Sequence, residues 1–382
     1  MKVLYLTNLP APYTVEFLSE LGKLCDLTVI YERRSASDRD KNWHSDIKPN
    51  YKEIYLSGIE VGTENSFCPS VKKYLRDDFD RIIIGMYSTY TAMIANNYLR
   101  RKNIPFIIST DGGFIGNENL FKRKLKIRLI SSAEAWLSPG KLTDEYLVHY
   151  GARKKDIYRY PFSSLSSSDI VEKPITFLEK QKYREGLGFE KNKLLFIGVG
   201  QFIYRKGWDL LVKAINTSKL LQNIQFVIIG GTEQRFIENL KEGVVSAHAL
   251  IPENVKVLPF MPKEKLYKCY HASDAFVLPT REDIWGLVVN EAMAAGLPVV
   301  TSDRCNAGLE LIVHGQNGYI YRNEAVTDLK DKLECLVKAL LAEDGNISEN
   351  AEMEMSRNSL SAISEFTYSG MAQKVFQALE EV

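Results

Sequence analysis

The sequence predicts an α/β protein made of two domains, each built on a parallel β-sheet. Two observations carry this prediction: short β-branched runs alternate with helical patterns in two separate stretches, and a serine-rich segment, residues 161–174, lies between them. Strands that alternate with helices favour a parallel sheet covered on both faces. The length of 382 residues fits two to three domains of about 150 residues each.

The first stretch predicts strands at KVLYLT, DLTVIY, RIIIG and PFIIST, and helices near residues 14–23, 70–76 and 91–101. The second predicts strands at KLLFIGVG, IQFVIIGG, ENVKVLPF, DAFVLPT and LPVVTS, with helices at WDLLVKAI, residues 263–272 and WGLVVNEAMAAG. A last helical pattern covers roughly residues 371–379. We therefore expect a first domain over residues 1–165, a second over 166–365, and a terminal helix in 366–382 that packs back on the first domain.

Composition excludes several classes of protein. Hydrophobic residues make up 45% of the chain, which excludes disorder as its main state. No apolar run approaches the roughly 18 residues of a membrane-spanning helix, and the first residues do not form a secretory signal. The five scattered cysteines lack C-x-x-C spacing, which is typical of thiols in a reducing compartment. We expect a cytoplasmic protein.

The formal net charge of +1 hides an asymmetry between the two halves. Residues 1–165 carry 25 Lys+Arg against 19 Asp+Glu, a net charge of +6, and residues 166–382 are left with −5. The most basic stretch, residues 121–132, interleaves five cations with apolar side chains. It predicts either a helix that lies on the anionic inner face of a membrane, or a solvated helix whose apolar residues pack on the sheet. Aromatic residues do not interleave with these cations, so nucleic acid is not the expected partner.

Several ligand classes are excluded by missing motifs. After Gly198 and Gly200, the position of the third glycine of a dinucleotide fingerprint holds Ile203, and no phosphate-binding P-loop occurs. The five histidines are isolated, without zinc spacing. Of two Asp-x-Asp triplets, Asp38-Arg39-Asp40 lies in a charged loop, and Asp78-Phe79-Asp80 precedes its strand instead of following it. We expect no metal site and no bound cofactor.

A basic pair beside glycine is the first candidate site. In IGVGQFIYRKGWDLL, a buried strand ends at Gly200, and Arg205-Lys206-Gly207 stand just before a helix that begins near Trp208. Two long cations and the free amides of a helix start are suited to a diphosphate. A solvated basic turn is the alternative.

The second candidate site is PTREDIWGLVVNEAMAAGLPVVTSD, which also follows an apolar strand. Asp283 lies in the loop before a helix, and Glu291 lies about two turns into it. Carboxylates accept hydrogen bonds from sugar and ribose hydroxyls, and the amides of residues 286–288 can meet a phosphate between them. Helix capping by Asp283 and an exposed Glu291 form the alternative interpretation.

Together these segments resemble glycosyltransferase family 4. The resemblance rests on GVGQFIYRKGWDLLVKA, PTREDIWGLVVNEAMAAGLPVVTSD and GLELIVHGQNGYIY, in the family's order and separations, over most of residues 190–322. It implies the GT-B fold, in which two Rossmann-like α/β domains face each other across a cleft. It also implies a nucleotide diphosphate sugar, UDP- or GDP-linked, as the donor, and retention of anomeric configuration.

The resemblance also implies roles for individual residues. Arg205 and Lys206 bind the diphosphate and stabilise the leaving nucleotide, Glu291 accepts from the ribose, and Asp283 contacts the donor sugar, with Glu282 able to share that role. The further donor-site residues are Gly200, Gln201, Gly230, Gly231, Phe260, Met261, Gly286, Leu287 and Val288. Gln201 stands where the family often has arginine, and Asp111, in the loop Asp111-Gly112-Gly113, stands where it commonly has histidine.

We expect a hexosyltransferase that extends a saccharide or lipid-linked saccharide in cell-surface polysaccharide synthesis. Retention allows two routes, front-face attack or a covalent intermediate on a carboxylate such as Asp111. Two alternatives remain open at the level of sequence. One is a GT-B sugar phosphorylase or synthase with a soluble acceptor. The other is a non-catalytic partner that binds a sugar nucleotide for another transferase.

Overall fold

A computed structural model of the protein describes residues 1–34, 47–62, 65–75, 78–243, 251–342 and 345–382. The chain divides into two compact units. Unit 1 comprises Met1–Ser167 and Phe366–Val382, and unit 2 comprises Ser168–Glu365. No helix in the described ranges is long and apolar enough to cross a bilayer.

Unit 1 is built on a parallel sheet. Its elements up to residue 167 are β1 (Lys2–Thr7), α1 (Pro12–Leu21), β2 (Asp26–Tyr31), β3 (Lys52–Tyr55), β4 (Ile59–Val61), β5 (Asn65–Phe67), β6 (Arg81–Gly85), α2 (Tyr90–Lys102), β7 (Ile107–Ser109), α3 (Leu120–Ile130), β8 (Ala135–Ser138), α4 (Lys141–His149) and β9 (Ile157–Arg159). Seven strands pair in the order β3-β2-β1-β6-β7-β8-β9, all parallel, and β4-β5 form a separate antiparallel pair. The central strands are buried on both faces, as their continuous apolar runs predict.

One predicted element of unit 1 is wrong. Over the described part of the helix expected at residues 70–76, which excludes residue 76, the chain forms a single 3₁₀ segment, Pro69–Lys73. Its only buried residue is Val71, so the segment lacks the repeated apolar positions that hold a longer α-helix to a core. Such short 3₁₀ turns are common connectors.

Unit 2 is a second parallel α/β unit. Its elements are α5 (Phe177–Leu187), β10 (Leu195–Val199), α6 (Trp208–Asn216), α7 (Lys219–Gln222), β11 (Gln225–Ile229), α8 (Glu233–Glu242), β12 (Val255–Leu258), α9 (Lys263–Ala272), β13 (Ala275–Leu278), α10 (Leu287–Ala294), β14 (Val299–Ser302), α11 (Asn306–Leu311), β15 (Gly318–Tyr321), α12 (Val326–Leu340) and α13 (Glu349–Ile363). The six strands pair in the order β12-β11-β10-β13-β14-β15, all parallel. The fully buried Trp208, Phe196 and Phe226 form part of the core between sheet and helices.

The last helix, α14 (Tyr368–Glu381), returns to unit 1. It packs against α1, and its residues Met371, Val375 and Leu379 are buried. Arg81 Nε donates a 2.9 Å hydrogen bond to the carbonyl of Leu379, which ties the helix to β6. A segment from the C-terminal part of the chain therefore completes the first unit.

A buried ionic cluster joins α5, α13 and the sheet of unit 2. Asp274 is fully buried, and its carboxylate accepts from Arg184 Nη2 at 2.6 Å and from the main-chain N–H of Leu195 at 2.7 Å. Lys180 Nζ lies 3.3 Å from the other oxygen of Asp274 and also pairs with Glu352. Burial raises the pKa of Glu352 to about 7. The cluster places two cations and two carboxyl groups where water cannot screen them.

Asp274→Ala is expected to lower the free energy of unfolding by about 3–5 kcal/mol, because it leaves the buried Arg184 guanidinium without its carboxylate partner. Urea denaturation measures this change. The matched control is Glu185→Ala, which breaks the exposed Lys191–Glu185 pair and is expected to cost less than about 1 kcal/mol. Equal effects of the two substitutions would contradict a stabilising role for the cluster.

Candidate functional site

The candidate site lies at the carboxyl edge of the sheet of unit 2. Parallel strands end at one edge, so the loops after β10, β11, β12, β13 and β14 gather there. The ends of β10 and β11 lie very close together: a Cβ on Gly230 would lie 1.9 Å from the carbonyl oxygen of Gly200. Glycine is therefore required at position 230. The neighbouring Gly231 lies against Phe202, whose ring a Cβ would meet at 3.0 Å.

The predicted cations and acids meet between the loops after β10 and β13. Lys206 closes a 3₁₀ turn, Tyr204–Lys206, and its Nζ lies 2.5 Å from Asp283 Oδ2. Both side chains are largely buried, at 11% and 13% exposure. Arg205 is 44% exposed, and its Nη1 lies 3.6 Å from Asp283 Oδ1 and donates to the carbonyl of Glu282 at 2.8 Å. One ammonium is thus fixed by a carboxylate, and one guanidinium beside it faces solvent.

A second pair of side chains holds these two loops together. Arg281 donates from Nη1 and Nη2 to the two carboxylate oxygens of Asp209, each at 2.8 Å. Its Nη1 also donates to the carbonyl of Tyr204 at 2.8 Å, and its guanidinium lies 3.8 Å from the centre of the Tyr204 ring. The carbonyl of Arg205 accepts from the Arg281 N–H at 2.8 Å and from Thr280 Oγ1 at 3.0 Å. The Arg281–Asp209 pair therefore fixes the backbone that carries the two cations.

Glycines open both helices at the site. Gly207 precedes α6 with φ +70°, and a Cβ there would lie 1.9 Å from the carbonyl oxygen of Pro279. Gly286 precedes α10 with φ +102°, and a Cβ would lie 2.7 Å from Cys305 Sγ. No side chain caps α10, so the amides around Leu287 and Val288 form an uncapped helix start beside the Arg205–Lys206 pair.

The remaining predicted donor residues surround this centre. Glu291 lies on α10 and accepts a 3.1 Å hydrogen bond from the hydroxyl of the buried Tyr270 on α9. After β12, Phe260 is 75% exposed and Met261 is buried. Gln201 is exposed, and its carbonyl accepts from Trp208 Nε1 at 3.0 Å. Arg304 Nη2 lies 3.0 Å from Glu282 Oε2, which ties the β14 loop to the β13 loop.

Asp111 is the predicted site residue that belongs to the other unit. It follows β7 in unit 1, at the carboxyl edge of that sheet. Burial raises the pKa of Asp111 to about 6. A Cβ on the nearby Gly113 would lie 2.9 Å from the ring of Tyr146, so the loop after Asp111 lies close against α4.

The raised pKa of Asp111 predicts a pH dependence of stability. A carboxyl group whose folded-state pKa exceeds its unfolded value favours the protonated form, so the free energy of unfolding falls as pH rises from about 4 to about 6. We expect Asp111→Asn to gain thermal stability relative to the native chain at pH 7 and to lose that advantage at pH 4. Thermal melts at both pH values measure it, with exposed Glu60→Gln as the control. If Asp111→Asn has the same Tm as the native chain at both pH 4 and pH 7, the raised pKa of Asp111 is contradicted.

Within the described ranges, no three or more His, Cys, Asp and Glu side chains come together as a metal would need. Asp38-Arg39-Asp40 lies outside those ranges. Asp80 Oδ2 accepts from the main-chain N–H of Lys2 at 2.7 Å, which gives the second Asp-x-Asp triplet a structural role next to β1.

The sequence matches known proteins, in part or over most of its length. Residues 179–353 match the family model for glycosyl transferases group 1. An uncharacterised glycosyltransferase of Methanocaldococcus jannaschii is 30% identical over 145 residues, which cover 38% of this chain and 36% of that protein. A D-inositol 3-phosphate glycosyltransferase of Xylanimonas cellulosilytica is 26% identical over 326 residues, 85% of this chain and 70% of the relative.

The structure also matches solved structures over its whole length. The crystal structure of Anabaena HepE in complex with UDP has a TM-score of 0.75 at 16% identity and covers 100% of both chains. The predicted GT-B fold is confirmed by this likeness. The group 1 match and the names of the relatives support the predicted enzyme class, a glycosyltransferase.

Sequence reasoning missed the Arg281–Asp209 pair and the Arg304–Glu282 pair. Arg281 stands inside the quoted PTRED motif and Asp209 inside GWDLL, but nothing local pairs residues that far apart in the chain. Asp209 is almost completely buried, at 2% side-chain exposure. A buried acid needs a partner, which is the physical signal that identifies the pair once burial is known.

Proposed function

We propose that this protein is a retaining glycosyltransferase that moves a hexose from a nucleotide diphosphate sugar to a saccharide or lipid-linked saccharide. The observation that carries the proposal is the pair Arg205 and Lys206 at an uncapped helix start, held by Asp283 and by the Arg281–Asp209 pair. This arrangement offers fixed positive charge at the carboxyl edge of a parallel sheet, where such folds bind ligands.

The proposed role of Arg205 and Lys206 is to stabilise the negative charge that develops on the leaving diphosphate. Glycosyl transfer builds positive charge on the sugar and negative charge on the departing diphosphate. Lys206 is largely shielded from water, so its attraction for the diphosphate is weakly screened, and Arg205 adds a guanidinium suited to two phosphate oxygens. Because these groups are fixed before the reaction, little reorganisation is needed as charge develops. We infer that no metal ion is required.

The rest of the edge suits the nucleotide. Glu291 accepts a hydrogen bond from Tyr270 and carries a carboxylate of the kind that binds ribose hydroxyls, and Phe260 exposes a ring beside which a base can lie. The similar Anabaena protein was solved in complex with UDP, which makes UDP-sugars the first donors to test.

A membrane-bound acceptor is supported by α3. Leu120 and Phe121 at its start are 75% and 79% exposed, beside the exposed cations Lys122, Arg123 and Lys124. Exposed apolar side chains flanked by cations favour an anionic bilayer surface. The far end of the helix behaves differently, because Leu129 and Ile130 are buried and Lys126 pairs with Glu118 at 2.9 Å. We propose peripheral binding through the first turn of α3, as part of cell-surface polysaccharide synthesis.

A donor screen tests the proposed function. Thermal melts with UDP-glucose, UDP-galactose, UDP-N-acetylglucosamine and GDP-mannose are expected to raise the apparent Tm with one donor, since a ligand that binds only the folded state stabilises it. Release of nucleoside diphosphate with that donor and a glycan acceptor, unaffected by EDTA, completes the test. A donor that binds without any release over a broad set of acceptors supports the non-catalytic alternative.

A further inference from the structure

Asn306 is a buried amide without a partner. It follows β14 as the first residue of α11, and it is 5% exposed. Neither Oδ1 nor Nδ2 has a hydrogen-bond partner within the described part of the chain. An unpaired buried polar group costs about 1–3 kcal/mol, so such a group calls for a physical explanation.

Two other buried asparagines, Asn317 and Asn96, are paired. Asn317, at 1% exposure, accepts from the Val313 N–H at 2.7 Å and donates to the carbonyl of Leu311 at 3.0 Å. Asn96 donates to the carbonyl of Leu129 at 3.0 Å. Among the residues that the structure describes, Asn306 is the amide for which both polar atoms are buried and unpaired. Its lack of partners is therefore particular to this position.

The position of Asn306 adjoins the charged centre. Its main-chain N–H donates to the carbonyl of Asp283 at 3.4 Å, and Asp283 is the residue whose carboxylate holds Lys206. The preceding Cys305 forms a β-bridge with Asp283 and lies directly against Gly286. Asn306 thus lies next to the Arg205–Lys206 cation pair at the carboxyl edge of the sheet.

The strand order indicates on which side of the cation pair each part of the donor lies. The cation pair lies between the loops of β10 and β13, and Phe260 follows β12, two strands further on one side. Asn306 follows β14, on the opposite side of β13. A donor whose base lies toward β12 and whose diphosphate meets Lys206 therefore has its sugar directed toward the β14 loop.

We propose that the Asn306 side chain binds hydroxyl groups of the donor hexose; this assignment rests on the proposed function and deepens it. A carboxamide offers one acceptor and two donor hydrogens, which complement two neighbouring hydroxyls. The bound sugar then supplies the partners that both atoms lack. A sugar that lacks those hydroxyls leaves the buried amide without hydrogen-bond partners. The site is therefore expected to discriminate strongly against such sugars.

The test compares sugar-dependent and nucleotide-dependent binding in Asn306→Leu. Isothermal titration calorimetry is run with UDP and GDP, and with UDP-glucose, UDP-galactose, UDP-N-acetylglucosamine and GDP-mannose. The variant is expected to lose about tenfold affinity for the nucleotide sugar that the native protein binds, and to keep its affinity for the free diphosphate. Its ligand-free Tm is expected to stay equal or rise, because an apolar side chain of similar size removes the two unpaired atoms.

Asn317→Ala is the matched control, expected to lower Tm and leave both affinities unchanged. Asn306→Ala repeats the comparison if the leucine variant does not fold. If Asn306→Leu loses affinity for the nucleotide sugar and for the free nucleoside diphosphate to the same extent, or loses neither, the role of Asn306 is overturned. The proposed function is not affected by that result. A native protein that binds none of the six compounds overturns both.

Discussion

Lys206→Ala is expected to lower kcat for glycosyl transfer by about 10²- to 10³-fold, the cost of removing one fixed group that stabilises developing negative charge. The effect is large because the ammonium is 11% exposed, so little water is at hand to take its place. The substitution also removes the close partner of the Asp283 carboxylate and leaves it with the more distant Arg205 guanidinium at 3.6 Å, so its negative charge repels the diphosphate that is expected to bind there. We therefore expect KM for the donor to rise as kcat falls, measured by steady-state release of nucleoside diphosphate.

A double-mutant cycle separates the two causes. If the repulsion by Asp283 contributes, Lys206→Ala/Asp283→Ala recovers part of the donor KM while kcat stays low. Arg205→Ala is expected to act in the same direction with a smaller effect, because that guanidinium is 44% exposed and screened by solvent. Lys193→Ala, which removes an exposed cation paired with Glu190, serves as the control and keeps native kinetics. Native turnover in both the Arg205 and Lys206 variants would rule out the phosphate assignment.

Arg281→Ala is expected to lower both stability and activity. Asp209 is 2% exposed, and loss of its bidentate partner leaves this buried carboxylate with Lys213 Nζ, 3.3 Å away, as its remaining cation, so the expected cost is below the about 3–5 kcal/mol of a fully unpaired buried charge. The carbonyl of Tyr204 loses the Arg281 donor at the same time and keeps the Gly207 N–H at 3.1 Å, so the turn that carries Arg205 and Lys206 is held less firmly to the loop after β13. Thermal unfolding and donor kinetics of the same preparation measure the two effects.

Two further variants distinguish positioning from general destabilisation. Arg281→Lys is not expected to rescue turnover, because an ammonium cannot reproduce the two parallel hydrogen bonds to Asp209. Asp209→Ala/Arg281→Ala also removes the buried carboxylate that has lost its bidentate partner, so its Tm is expected to recover toward the native value. Its kcat is expected to stay low, since the Arg281 hydrogen bond to the Tyr204 carbonyl is still missing. Recovery of kcat in parallel with Tm would reduce the pair to a purely structural role.

The central strands and the charged loop were predictable because their signals are local. Continuous apolar runs such as KVLYLT and RIIIG identify strands buried on both faces, and Arg205-Lys206-Gly207 stands directly after one of them. Strands β3, β4, β5, β8, β9 and β15 were not predicted, because each is three or four residues long. Such segments carry no clear periodicity.

The finer chemistry depends on contacts that no local pattern encodes. Asp283 was assigned to the donor sugar by resemblance, and the structure adds that its carboxylate holds Lys206. Asp209 and Arg281 meet only because β10 and β13 are neighbours in the sheet although they are not consecutive in sequence. The unpaired state of Asn306 is a property of burial, which composition and spacing do not reveal.

The return of α14 to unit 1 bears on the order in which the protein folds during synthesis. Unit 2 is continuous, so all of its residues have been made before α14 leaves the ribosome. Unit 1 is made first but is finished last, because the surface of α1 that α14 covers has no partner until then. Domains made earlier usually complete their fold before domains made later. Here the last step of folding belongs to the unit that was made first. During that interval the uncovered α1 is the surface a chaperone is expected to protect.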